Sequence, residues 1–333
     1  MKDKELMSLH SNQRYVVLEM MKRGIEVELL DLDRELIKAS YKNHIEYMLD
    51  RNSSVMPYSL SMILGDKFLT KQLLKQNNFS ICDGEVFNPS QKQTAIIYAS
   101  SLGYPITLKP VFGSHGDNVY VNIKNQSELQ EILYKPNINF PFIIEQYFEG
   151  KEYRVFITKN DDYAVLHRDP AYVVGDGKNN LEELIENENR IRAERKNSLC
   201  PIVLDDIALR YLTQCNKKLD YIPKKEEKVY IRDTSNVAKG GVCVNATKII
   251  HPSVLEICTR LLKSFGNLPY IGIDFMCNDI SKPQTNDSYA IIEVNTIPGV
   301  SMHMKPGIGE MEDVPKMMVD LIFPETVEEK CKG

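Results

Sequence analysis

The 333-residue chain contains no apolar run approaching the ~20 residues that a membrane-spanning helix needs. Its opening residues, Met1-Lys-Asp-Lys-Glu-Leu6, form no apolar leader core, so a cytoplasmic location is expected and a membrane partner is not. No CxxC pair occurs. The seven cysteines (82, 200, 215, 243, 258, 277 and 331) are odd in number and scattered, as reduced and mostly buried thiols are. No GxGxxG motif follows a strand, so dinucleotide binding is not indicated. With a net charge of −5 and no basic patch interleaved with aromatics, nucleic acid is excluded as a partner. Internal repeats and low-complexity segments are missing too. What is left is 43% hydrophobic and 26% charged, an ordinary soluble composition long enough for two or three lobes.

The first 57 or so residues read as a small α/β unit. Helical periodicity from Ser8 to Arg23 ends at Gly24, and Ile25 to Leu30 then alternates like a strand. Helices are expected from Lys67 to Gln76, around Gln91 to Leu102, and over the charged stretch Asn179 to Arg195. Strands are expected at Tyr104–Pro110, Pro141–Glu145, Gly150–Ile157, Tyr270–Met276 and Ala290–Asn295, with a glycine loop at Gly113–Asn118 and a frayed tail at Glu328–Gly333.

The richest signal is the pair of oily strands Tyr270-Ile-Gly-Ile-Asp-Phe-Met276 and Ala290-Ile-Ile-Glu-Val-Asn295. Alternation puts Glu293 and Asn295 on one face and Ile292 and Val294 on the other; Asp274 stands opposite the face of Ile271, Ile273 and Phe275. Burying carboxylates costs several kcal/mol unless a cation or donors meet them. The donors are all oxygen, which suits Mg²⁺ or Mn²⁺ and argues against zinc. Other features point to a nucleoside triphosphate. Lys109 closes an apolar strand and can donate to phosphate oxygens. The backbone N–H groups of Gly113, Ser114 and Gly116 can close over phosphates as a nest and lid. Glu145, then Gln146 and Tyr147, offer a strand edge for adenine, and Glu152 a carboxylate for ribose hydroxyls. Arg232 and Asn236 bracket a loop ending in Gly240-Gly241, where arginine can hold a tetrahedral anion bidentately. Each feature alone also has a plain reading, as a strand-end lysine, a turn or a solvent-facing arginine. Their co-occurrence carries the argument.

The series Lys67, Lys109-Pro110, Gly113-Ser-His-Gly116, Glu145, Glu152, Arg232, Asn236, Gly240-Gly241, Asp274 and Glu293-Val-Asn295 resembles the ATP-grasp superfamily. More narrowly, Ala171-Tyr-Val-Val-Gly-Asp-Gly-Lys178 looks like a segment of cyanophycin synthetases and of the bifunctional glutamate–cysteine ligase/glutathione synthetase. The Lys22–Leu30, Met302–Gly307 and Phe323-Pro324 stretches are similar to the second of these.

The resemblance implies an α/β (α+β) ATP-grasp fold with the nucleotide between two lobes. Residues 1–66 would form a short N-terminal α/β domain, 67–154 the central lobe, and 155–333 the C-terminal lobe with the metal site. It implies a carboxylate–amine ligase that phosphorylates an acid with ATP and Mg²⁺ or Mn²⁺, then joins the acyl-phosphate to an amine. Carried over by position, Lys67 and Lys109 meet phosphates, Glu145 and Tyr147 the adenine edge, and Glu152 the ribose. Asp274, Glu293 and Asn295 hold metal, and Arg232 with Asn236 serves the tetrahedral species. Arg154, Ser301, His303 and Lys305 stand where substrate is expected. The partners implied are amino acids or short peptides, in a homodimer. A glutathione-synthetase-like reaction is the first expectation, with ligation of another amino acid or peptide next. An ATP-binding protein without turnover and a kinase are the other classes. Two departures fall near the acceptor: Lys239 and Val242 in the Asn236–Val242 loop, and Asp169 after Arg168.

Overall fold

The structure, a computed structural model, describes residues 1–112, 117–195 and 199–327. The expected glycine loop, with Gly113, Ser114, His115 and Gly116, lies outside the described residues, as does the tail.

The periodic segment near the amino terminus is two helices, Asp3–Ser8 and Ser11–Lys22, rather than one from Ser8 to Arg23. Val16, Val17 and Met20 line the buried face of the second. Strands β1 (Glu26–Asp31), β2 (Leu36–Tyr41) and β3 (His44–Leu49) then form an antiparallel meander. This unit contains no parallel crossover, because Asp31 pairs with Leu36 and Tyr41 with His44, and connections that short can only turn the chain back. Val16, Met20, Ile37 and Met48 share one apolar core with Phe156, Tyr270 and Ile273 of the C-terminal sheet and with Phe323, which follows the helix Val314–Ile322.

The central lobe is an antiparallel sheet of β4 (Gly84–Phe87), β5 (Ile106–Pro110), β6 (Tyr120–Ile123) and β7 (Phe142–Gln146), in the order β4-β7-β5-β6. Helices Lys92–Leu102 and Gln126–Leu133 cover the face of Ile106, Leu108, Phe142 and Ile144. Alternation then sends Thr107, Lys109, Ile143 and Glu145 to the opposite face. That face receives the helix Lys67–Gln76, which begins on an Asp66 cap: Asp66 Oδ1 accepts from Phe68 N at 2.8 Å and from Leu69 N at 3.1 Å.

The C-terminal sheet comprises β8 (Lys151–Thr158), β9 (Tyr163–Asp169), β12 (Val242–Asn245), β13 (Tyr270–Cys277) and β14 (Tyr289–Asn295), ordered β12-β9-β8-β13-β14. A ribbon of β10 (Tyr172–Val174) and β11 (Lys228–Tyr230) carries the helices Leu181–Glu194 and Asp206–Gln214 on its own apolar cluster. An Asn180–Glu183 capping box starts the first of these helices. Among the described residues no helix is long and apolar enough to cross a membrane.

One expected detail of β14 is corrected. Asp274 pairs with Glu293 but Phe275 pairs with Ile291, so Ile292 is an unpaired bulge residue. The bulge resets the alternation, and the buried side chains are Ile291 and Val294 rather than Ile292 and Val294.

Candidate functional site

Two charged clusters stand on the four-stranded and the five-stranded sheets. In the central lobe Glu145, 3% exposed, is enclosed by two ammonium groups. Lys109 Nζ lies 2.7 Å from its Oε1, and Lys71 Nζ donates to its Oε2 and, at 2.7 Å, to the Cys82 carbonyl. Burial pushes the Glu145 carboxyl up, but Lys109 and Lys71 outweigh it and hold the group below the ordinary range. For Lys71, burial wins over Glu145 and its pKa falls; for Lys109, Glu145 wins and its pKa rises. Gly84 makes the pocket possible, since a Cβ there would stand 2.5 Å from Glu145 Cβ. Glu145, expected at the adenine edge, thus has both carboxylate oxygens engaged by lysine.

The second cluster is built by cross-strand register on one face of the C-terminal sheet. Arg154 and Glu293 are the partners of Asp274 on either side, Gly272 is the partner of Asn295, and Arg168 that of Glu152. Asp274 is 5% exposed. Its Oδ1 lies 2.8 Å from Arg154 Nε, and Arg168 Nη1 donates to Oδ1 and Oδ2 at 3.2 and 3.3 Å. Arg168 Nη2 reaches Glu152 Oε1 at 3.1 Å, and Ser235 Oγ donates to Glu152 Oε2. The Asn295 amide fits with its oxygen accepting from Arg154 Nη1 at 2.9 Å and its nitrogen donating to Glu293 Oε1 at 3.2 Å. Burial and the neighbouring Asp274 charge raise the Glu293 pKa, while Lys67, Arg154 and Lys109 pull it down. The two clusters therefore act on one another. Gly272 is the position that lets Arg154 cross β13, because a Cβ there would stand 2.9 Å from Arg154 Nη1.

Asp274, Glu293, Asn295, Glu152 and Arg154 are brought together, with Lys67 and Lys109 close enough to be felt at Glu293. The loop residues Arg232 and Asn236 are occupied locally. Arg232 Nη2 donates to the Val203 carbonyl at 2.9 Å and Asp205 Oδ1 at 3.0 Å, and Asn236 Oδ1 caps the turn Val237–Lys239 through Ala238 N at 2.9 Å. Beside Arg232, burial raises the Asp233 carboxyl to about 6 even though Arg210 and Arg232 pull the other way. Tyr147 is half-buried, and its phenol is raised by burial and by Asp233. The short helix Ser301–Met304 is held by a residue far away in sequence: Asn12 Oδ1 accepts from Val300 N and Ser301 N, both at 2.8 Å. His303 is fully buried, and burial, aided by Arg154, drops its pKa to about 3, so it is neutral. Lys305 Nζ lies 5.9 Å from the centre of the Tyr15 ring.

Sequence reasoning missed Lys71 and the role of Arg168. Lys71 was marked by its i,i+4 spacing from Lys67, which puts both on one helix face. Arg168 carried no signal of its own, since its importance comes from sheet register.

Among the described residues no three His, Cys, Asp or Glu side chains are arranged to hold a metal. The candidate set is two carboxylates and an amide. Asp274 and Glu293 are cross-strand partners, and their carboxylates with the Asn295 amide are the oxygen donors that would suit a hard divalent cation.

Residues 64–189 match the RimK-like ATP-grasp domain. The chain is 31% identical to a cyanophycin synthetase of Synechocystis over 93% of its own length and 36% of that protein. It is 30% identical to a bifunctional glutathione biosynthesis protein of Enterococcus faecalis over 94% of its length and 42% of that protein. The crystal structure of a bifunctional glutathione synthetase from Pasteurella multocida superposes with a TM-score of 0.69 and 24% identity, over 96% of this chain and 44% of that one. The chain thus spans less than half the length of these relatives.

Proposed function

For a chain that carries a RimK-like ATP-grasp domain in an ATP-grasp fold, we propose an ATP-dependent carboxylate–amine ligase working through an acyl-phosphate. The observation that carries the reading is the pair of clusters: ammonium groups of the central lobe beside a carboxylate–amide set of the C-terminal sheet. Phosphoryl transfer asks a protein for positioning and charge neutralisation more than for covalent help, and these clusters offer both.

In this reading the nucleotide lies between lobes 67–154 and 155–333. Lys67 and Lys109 neutralise its phosphates, Tyr147 and the Gln146–Phe148 backbone border the adenine, and Glu152 takes the ribose hydroxyls. Asp274, Glu293 and Asn295 would hold Mg²⁺ or Mn²⁺, which supplies charge neutralisation at the phosphates. Arg154, fixed by Asp274 and Asn295, presents a permanent positive charge where an acyl-phosphate and its tetrahedral adduct develop negative charge. Arg232 and Asn236 act there only if the loop releases their present partners. His303, buried and neutral, carries no charge to substrate.

The acid and amine proposed first are γ-glutamylcysteine and glycine, as in the bifunctional glutathione relatives, with a short-peptide substrate as in cyanophycin synthetase next. In the glutathione case a separate activity supplies γ-glutamylcysteine. A homodimer in the cytoplasm is the accompanying assembly. The test is a screen of the purified protein with ATP, Mg²⁺ and pairs of amino acids and dipeptides, read by phosphate release and product mass. ADP release that needs both an acid and an amine supports ligation. A phosphorylated product with no amide makes the protein a kinase, and no nucleotide turnover with any pair rejects the enzyme.

A further inference from the structure

Arg168 is a charge at the site that the ligase chemistry leaves unused. Its side chain is 16% exposed, it grows from a central strand rather than a loop, and guanidinium does not lose its proton. One nitrogen, Nη1, spans both oxygens of Asp274 at 3.2 and 3.3 Å, and the other, Nη2, holds Glu152 at 3.1 Å. Arg154 Nε stands 2.8 Å from the same Asp274 oxygen, so two guanidinium groups share one carboxylate. Arg168 Nε, buried, has no hydrogen-bond partner among the described residues, and a buried donor without a partner is a place for an oxygen that is not yet there.

We propose that Arg168 is a resident counter-cation of the metal site, which keeps a bare divalent cation off Asp274 and admits it together with a polyphosphate. This inference rests on the metal and nucleotide reading above and deepens it. A cation arriving alone at Asp274 meets like charge at contact distance from Arg168. A cation arriving with a nucleoside di- or triphosphate brings anionic oxygens, which give Arg168 new partners, its free Nε included. Ribose hydroxyls on Glu152 loosen the second anchor of Arg168 at the same moment. Metal and nucleotide affinities are then coupled, and the coupling is reciprocal.

The test is Mn²⁺ binding to the full chain, followed by electron paramagnetic resonance of the free ion, with and without saturating ADP. ADP is expected to tighten Mn²⁺ binding at least about tenfold in the wild type. In Arg168→Met, Mn²⁺ without nucleotide is expected to bind about tenfold more tightly than to the wild type, and the effect of ADP to shrink towards none. Arg168→Lys keeps the charge and should retain weak binding of the bare ion; thermal melts confirm that both variants are folded. Mn²⁺ that binds Arg168→Met no more tightly than wild type, or a coupling unchanged by the substitution, overturns the proposal. Mn²⁺ that binds no form even with ADP overturns the metal reading with it. Failure of the ligase reading shows separately, as absence of acid- and amine-dependent ADP release.

Discussion

The central-lobe cluster sets one carboxylate, Glu145, between two ammonium groups, a surplus of one positive charge. The sheet cluster sets three carboxylates, Glu152, Asp274 and Glu293, against two guanidinium groups, a surplus of one negative charge. Both are mostly buried and both are densely paired, so neither density nor burial separates them. The sign of the surplus does. A positive surplus is completed by an anion and a negative one by a cation, and side by side the two suit a metal–polyphosphate. In the first cluster the carboxylate is the minority charge and holds the pocket together; in the second it is the majority and costs stability.

The largest test of that asymmetry removes the minority charge. Glu145→Ala leaves Lys71 and Lys109 buried together without a counter-ion, and urea unfolding is expected to show a loss of about 3–5 kcal/mol. A loss below 1 kcal/mol would break the comparison. Glu293→Ala should do the reverse: turnover falls at least about 100-fold, as removal of a charge-positioning group does, while stability holds or rises slightly because Asp274 loses a repelling neighbour. Near-normal ligation by this variant rejects Glu293 as a metal ligand.

Asp233 belongs to neither cluster and sharpens the contrast, because its buried Oδ2 has no hydrogen-bond partner among the described residues. Its folded pKa, about 6, lies above the ordinary carboxylate value, so the native state holds the extra proton and stability falls as pH rises through 4 to 6. Asp233→Asn is therefore expected to stabilise the protein by about 3 kcal/mol at pH 8 and by nothing below pH 4, read from melts across pH. A gain that does not depend on pH would contradict the buried charge. The smallest effect is local. Asn12→Ala removes the donor-accepting oxygen at Val300 and Ser301 and should cost about 1 kcal/mol. An unchanged unfolding midpoint would show that packing alone holds that helix.

Elements governed by short-range rules were legible in advance. The helix Lys67–Gln76 and the strands around Lys109, Glu145, Arg154, Asp274 and Glu293 follow from periodicity and punctuation, which need only neighbouring residues. The bulge at Ile292 was not legible, because it exists only relative to the strand paired with it. The antiparallel turn of β1 to β3 needed knowledge of pairing too, and the cap on Ser301 comes from a residue 289 positions earlier.

By itself the sequence determined which residue types could do chemistry: oxygen donors on two oily strands, lysines at element ends, and a family signature joining them. Tertiary structure alone decided how those charges are divided. Glu145 is shared by Lys71 and Lys109, and Asp274 by Arg154 and Arg168, because strand register and helix docking bring residues tens of positions apart within hydrogen-bonding distance. Pairing energies fall off over a few ångströms and burial multiplies them. The identity of each side chain is written along the chain, and its charge partner is written only in space.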